Sequence, residues 1–285
     1  MPYFNTTDGT RLFYSIWGSG HPIVFVHGNN IGSDMWSFQS PSLIEKGYQC
    51  ISYDQRGFGR SDCPQDGYDI DTLADDLHCF LRHLNLPKVS LVTFSVGGGI
   101  LARYFARHGT GHIDKAVLIA TVTPCFLKRD DNPEGLDPSI VYEPFRLGLI
   151  RDRPQLFRDS LDAFFNPSEA ENPISDGIRE WIVASAIQNP LVPMLEYARF
   201  SNHADFRSDM ESFALPTLIV HGDSDVFAPP HETGLRTHKM IPGSTFLLYA
   251  GASHGITFTH RDRLNRDIIQ FMKRDVHHFD EAVVC

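Results

Sequence analysis

Residues 88–109 read KVSLVTFSVGGGILARYFARHG. The apolar run over 88–95 spells a buried strand, and 97–109 carries helical spacing. Between them, in TFSVGGG at 93–99, Ser95 stands among small residues. A strand that turns tightly into a helix lifts such a serine above the sheet and aims it at the helix N-terminus, as in the nucleophile elbow G-x-S-x-G. The free N–H of Val96 and the helix dipole can then stabilise an oxyanion. Thr93 stands where that pattern has its first glycine and adds bulk where strand and helix crowd together. Read alone, the segment also fits an ordinary turn with Ser95 as a helix cap.

Working outward, RLFYSIW (11–17) alternates like a half-buried strand, and HPIVFVHG (21–28) and YQCISYD (48–54) read as buried strands. Residues 70–84 have helical spacing, and KAVLIAT (115–121) is a further strand. The order is β-β-β-α-β-α-β, which predicts an α/β fold: a mostly parallel sheet with helices on both faces. Over 124–206 the strands stop, and 149–165 and 177–188 read as helices. Alternation resumes with LPTLIVHGD (215–223), a helix near 231–240, TFLLYAG (245–251) and a last helix at about 260–274. The expected organisation is a core of 1–123 and 207–275, a helical lid of 124–206 before the last strands, and a flexible tail of 276–285. Such a lid would cover a site at the strand ends, where open α/β sheets bind ligands. The alternative is a peripheral helical elaboration.

A nucleophilic serine needs a base, and the base needs a partner that holds its tautomer. After Ser95, HGDSD (221–225) ends one strand and GASHG (251–255) ends the next. Both fall on the sheet edge that carries Ser95, in the chain order serine, acid, histidine. Asp225 lies further into its loop and is the expected acid; Asp223 is expected to shape the turn through an Asx-type bond. His254 is the expected base. The chain has 14 histidines, so a loop histidine alone carries little weight; the ordered trio does. A second oxyanion donor is expected from HGNN (27–30), with the backbone N–H of Asn29 as the candidate. His27 reads as structural, its ring bonding neighbouring loop backbone. Gly57 and Gly59 read as turn glycines, and Arg56 and Arg60 as ion-pair formers.

Lysine and arginine total 25 against 35 acidic residues, a formal charge of −10. That balance argues against nucleic-acid partners and against docking on an anionic membrane. Five scattered cysteines without a CxxC pair argue against a disulfide framework or a zinc site. No HExxH or clustered ligand set suggests a metal, and the adjacent His277 and His278 read as a solvated end. Neither a signal peptide nor a membrane span is legible, so a cytoplasmic protein is expected. A homo-oligomer is left open.

These segments resemble the α/β-hydrolase superfamily, and more narrowly the bacterial aryl esterases and cofactor-free haloperoxidases (perhydrolases). The resemblance spans roughly residues 10–274 and rests on FVHG (25–28), DMWSFQ (34–39), YDQRGFGRSD (53–62), SVGGGILARYFARHG (95–109), ADFRSDM (204–210), LPTLIVHGDSD (215–225) and SHG (253–255). It implies an α/β-hydrolase fold, Ser95 as nucleophile, Asp225 as acid, His254 as base, and no cofactor. The chain departs from the family at Thr93 and at Asn29–Asn30, where a tryptophan followed by proline or leucine is usual. The residue after the HG pair lines the acyl pocket in that family, so the swap changes pocket shape and polarity.

The expected activity is hydrolysis of a small carboxylic ester or lactone through an acyl-enzyme. Perhydrolysis with the same three residues is the alternative, and a non-catalytic ligand receptor of the same fold is the third reading. Asn30, Phe94, Phe126, Phe164 and Trp181 are candidate pocket residues. The aromatic ones fit ordinary core equally well.

Overall fold

The computed structural model describes residues 2–274. The expected tail at 276–285, with His277, His278 and Cys285, lies outside the described residues. An eight-stranded sheet forms the core, in the order β1-β2-β4-β3-β5-β6-β7-β8. The strands are β1 (Tyr3–Asn5), β2 (Arg11–Gly18), β3 (His21–Val26), β4 (Tyr48–Tyr53), β5 (Val89–Phe94), β6 (Ile113–Ile119), β7 (Thr217–Gly222) and β8 (Thr245–Tyr249). β1 and β2 pair antiparallel, and β2 runs antiparallel to β4; every other pairing is parallel. All six residues of β5 and of β7 are buried, as strands covered on both faces require. The chain leaves β3 toward β4 and returns on its other side as β5, so the sheet switches direction between β3 and β5. Open α/β sheets place ligands at the carboxyl ends beside such a switch.

The helices are α1 (Ser40–Glu45), α2 (Ile70–Leu84), α3 (Val96–His108), α4 (Pro138–Phe165), α5 (Asp176–Gln188), α6 (Leu191–His203), α7 (Gly234–Met240), α8 (Ile256–Thr259) and α9 (Arg261–Lys273). α2 starts where Asp69 accepts the Thr72 N–H at 2.9 Å and ends at Asn85 in the left-handed region (φ 48°). Helices α4–α6 occupy the stretch expected to be helical between β6 and β7. α4 is broken at Asp152 (φ −159°, ψ 80°). Pro154 has no N–H to donate and its ring crowds the carbonyl four residues earlier, at Ile150, so a regular helix cannot run through this point. Asp152 accepts the Gln155 N–H at 3.0 Å and so restarts the helix. α6 and the short β1 were not read from the sequence.

The turns of DQRGFGRSD are fixed by charge. Arg56, 1% exposed, pairs bidentately with Asp76 on α2 at 2.6 and 2.7 Å and reaches Asp8 at 2.9 Å. Arg60 binds Asp54 at 2.8 Å and Asp34 at 2.8 Å. Both arginines are the ion-pair formers expected. Removing one partner of a buried pair strands the other charge. Asp76→Ala is therefore expected to lower unfolding free energy by about 3–5 kcal/mol, read from urea melts. A loss under about 1 kcal/mol would mean that the pair is not holding this loop to α2.

Candidate active site

Ser95 sits where β5 meets α3, with φ 54° and ψ −118°. A positive φ is costly for a residue with a Cβ, by about 1–3 kcal/mol, and persists where the surroundings impose it. Here they do. The Ser95 N–H donates to the Ile119 C=O of β6 at 2.9 Å, and Gly97 follows at a point with no room for a side chain. A Cβ on Gly97 would stand 2.7 Å from the Val26 carbonyl oxygen. Thr93 does not disturb this turn. It is fully buried, its hydroxyl donates to the Val117 C=O at 3.1 Å, and its Cβ leaves ordinary contact distance (3.4 Å) to that position. The elbow thus forms without its first glycine. Ser95 makes no side-chain capping bond to α3, so the helix-cap reading does not describe it.

The three residues singled out in chain order come together. His254 Nε2 lies 3.1 Å from Ser95 Oγ, and His254 Nδ1 lies 2.7 Å from Asp225 Oδ2. The other carboxylate oxygen, Oδ1, accepts the N–H groups of Phe227 and Ala228, both at 2.9 Å. Burial by itself would raise the Asp225 pKa. The imidazoles of His254 and His221 beside it outweigh burial and hold the carboxyl well below the usual range. Asp225 is therefore the ionised partner and His254 Nδ1–H the donor to it. Ser95 and His254 are each 7% exposed.

On the oxyanion side, Val96 is the first residue of α3, where N–H groups have no intrahelical acceptor. Gly28, after β3, lies against Ser95: a Cβ there would stand 3.0 Å from Ser95 Cβ and 2.9 Å from the Phe94 ring. Asn29 is the next residue. The His27 ring is fully buried between neighbouring backbone groups. Its Nδ1 donates to the Gly28 C=O at 2.7 Å and its Nε2 accepts the Gln55 N–H at 2.9 Å. Burial lowers its pKa, so the ring is neutral with the proton on Nδ1. That is the structural role expected of it.

Of the pocket candidates, Phe94 and Phe164 lie by His254, with ring centroids 4.9 and 5.9 Å from its own. Trp181 stands further off. It meets Phe258 at 6.2 Å and lines, with Phe38 and the first turn of α5, a surface groove of about 430 Å³. Phe126 is buried in the stretch before α4, and among the described residues no ring contact joins it to His254. The side-chain oxygen of Asn30 is buried, and its C=O accepts from Asn189 at 2.8 Å. Asp223 departs from its expected role: instead of closing its own turn, it accepts the Gly251 N–H at 2.8 Å and so ties the loop of Asp225 to the loop of His254.

Three contributors were missed. Phe227 packs its ring 5.8 Å from that of His254. His221, fully buried, donates to the Ala228 C=O at 2.7 Å and approaches Asp225 Oδ2 at 3.4 Å. It was legible as the histidine four residues before Asp225. Asn189 carried no local signal at all.

Residues 21–261 match the model of the alpha/beta hydrolase fold family. The chain is 37% identical to a non-heme chloroperoxidase of Kitasatospora aureofaciens over 276 residues, covering 96% of this chain and all of that one. A bromoperoxidase structure from Bacillus anthracis superimposes with a TM-score of 0.89 at 38% identity, covering 93% of this chain and 96% of that chain. An esterase structure from Exiguobacterium antarcticum does so with a TM-score of 0.89 at 29% identity, covering 95% and 99%. The elbow, the strand-end order and these likenesses agree: the chain belongs to the alpha/beta hydrolase fold family.

Proposed function

We propose that the protein is a serine hydrolase of small carboxylic esters or lactones, with Ser95 as nucleophile, His254 as general base and Asp225 as its orienting acid. The observation that carries this reading is the hydrogen-bonded line Ser95 Oγ–His254 Nε2, His254 Nδ1–Asp225 Oδ2, at 3.1 and 2.7 Å on a strained elbow. Nε2 takes the Ser95 proton as Oγ attacks the substrate carbonyl. The N–H groups of Val96 and Asn29 receive the negative charge that develops on the carbonyl oxygen. His254 then gives the proton to the departing alkoxide. Water enters, loses a proton to Nε2 and attacks the acyl carbon, and the carboxylic acid leaves as Ser95 regains its proton. Helices α4–α6 act as the lid over this chemistry, with Phe164 on the base side.

A second reading is favoured by the names of the relatives, a chloroperoxidase and a bromoperoxidase. In it hydrogen peroxide replaces water at the acyl-enzyme. His254 takes a proton from the peroxide, the peroxide oxygen bonds to the acyl carbon, and a peracid leaves as Ser95 is regenerated. The first half-reaction is shared, so one experiment tests both. Wild type and Ser95→Ala are treated with a fluorophosphonate probe and weighed intact. Stoichiometric labelling that disappears in the variant is expected. Failure of folded wild type to label would leave a ligand-binding role for the fold instead. Acetate plus peroxide, assayed for peracid, then separates the two acceptors.

A further inference from the structure

The loop that carries the Asn29 N–H is not held by the sheet alone. In a trans peptide the C=O and N–H point in opposite directions, so whatever fixes the Gly28 C=O aims the Asn29 N–H. His27 Nδ1 fixes it, at 2.7 Å, and His27 is in turn held by the Gln55 N–H. The Gln55 side chain donates to the His27 C=O at 2.6 Å and accepts the hydroxyl of Tyr197, on α6, at 2.9 Å. The other end of the loop is held more directly. Asn189, between α5 and α6 and 3% exposed, donates through Nδ2 to the Asn30 C=O at 2.8 Å. Its Oδ1 accepts the Gly59 N–H at 3.0 Å. Asn30 has a φ of 75°, a conformation that a side-chain-bearing residue keeps where neighbours impose it.

Asn189 is itself anchored from α4. Arg153, next to the break at Asp152, donates to the Asn189 C=O at 2.6 Å and to the Ile187 C=O at 2.9 Å, capping the end of α5. The far end of α4 grips the base loop: the Gly255 N–H donates to the Phe164 C=O at 2.7 Å, and Ser253 Oγ to the Ala163 C=O at 2.5 Å. One kinked helix therefore reaches both sides of Ser95.

We propose that Asn189 is a positioning residue. By bridging the Asn30 C=O and the Gly59 N–H it holds the Asn29 N–H on the developing oxyanion, so the helical insert sets the active geometry as well as covering it. This rests on Ser95 being the nucleophile. Misplacing a donor by an ångström or so costs about 10–100-fold in rate. Hydrolysis of 4-nitrophenyl acetate by wild type, Asn189→Ala, Asn189→Asp and Ser95→Ala tests it, with rates expressed per fluorophosphonate-titrated site for the three proteins that keep Ser95 and per folded protein for Ser95→Ala. Asn189→Ala is expected to lose about 10–100-fold in kcat with KM within about threefold, because the group acts on charge that appears in the transition state. The acid limb of the pH profile is expected to stay in place, since the His254–Asp225 pair is untouched. Asn189→Asp keeps the acceptor for Gly59 and loses the donor to Asn30, so it is expected to be as slow as Asn189→Ala. A kcat per titrated site within about twofold of wild type in either variant, or a loss confined to KM, overturns the proposal. Wild-type turnover by Ser95→Ala overturns both this proposal and the reading beneath it, and marks the nucleophile assignment as the fault.

Discussion

Replacing Ser95 with alanine is expected to lower kcat/KM for an aryl acetate by about 10⁴–10⁶-fold while leaving the fold intact. In the proposed mechanism the three groups act as one unit, so the expected loss is large: without Oγ, His254 Nε2 has no proton to take and no acyl-enzyme can form. The remaining rate would come from the Val96 and Asn29 N–H groups acting on water attack. The fold is expected to hold for a local reason. Ser95 makes no capping hydrogen bond to α3, so deleting its hydroxyl does not uncap the helix, and alanine meets the same positive φ that serine already tolerates. The elbow is set by the β6 hydrogen bond and by the space at Gly97, neither of which involves the side chain. Steady-state kinetics with a thermal melt checks this. Retention of more than about 1% of wild-type kcat/KM by a folded variant would remove Ser95 from the chemistry.

What could be read from the sequence was what local patterning determines. β3, β5, β6 and β7 are buried apolar runs, and each announces its own carboxyl end. Ser95 and Asp225 follow the ends of β5 and β7, and His254 follows the half-buried β8, so the chain order alone puts all three on one sheet edge. Thr93 looked disruptive because its bulk was assigned to the strand–helix contact. The side chain instead hydrogen-bonds into β6, a choice that depends on the neighbouring strand. α6 escaped notice because it begins after Pro190 and has apolar residues on every side (Leu191, Val192, Met194, Leu195, Tyr197), which leaves no amphipathic face to detect. β1 is three residues long at the sheet edge. Asn189 reaches partners 159 and 130 positions away, and nothing in the residues around it marks such contacts.

Asp225→Asn is expected to lower kcat by about 10³–10⁴-fold with little change in the architecture of the loop. The reason lies in which oxygen is already committed. Oδ1 accepts two backbone N–H groups, from Phe227 and Ala228, so in the variant the carboxamide oxygen is held there and the NH₂ group is forced toward His254. A donor facing Nδ1 requires Nδ1 to accept, which puts the imidazole proton on Nε2. Nε2 then points a hydrogen at Ser95 and cannot take one from it. In wild type the same site resists acid. The Asp225 pKa is depressed from its ordinary 3.8, so the charge and its stabilising contribution are fully present above that value. They are lost when pH falls through the lower, folded-state value. The carboxylate therefore stays ionised across the neutral range in which variant and wild type are compared. A variant that keeps wild-type kcat would mean that tautomer control by Asp225 is not what readies Ser95. Loss of activity together with loss of folded protein would instead assign Asp225 to the integrity of the 225–228 loop.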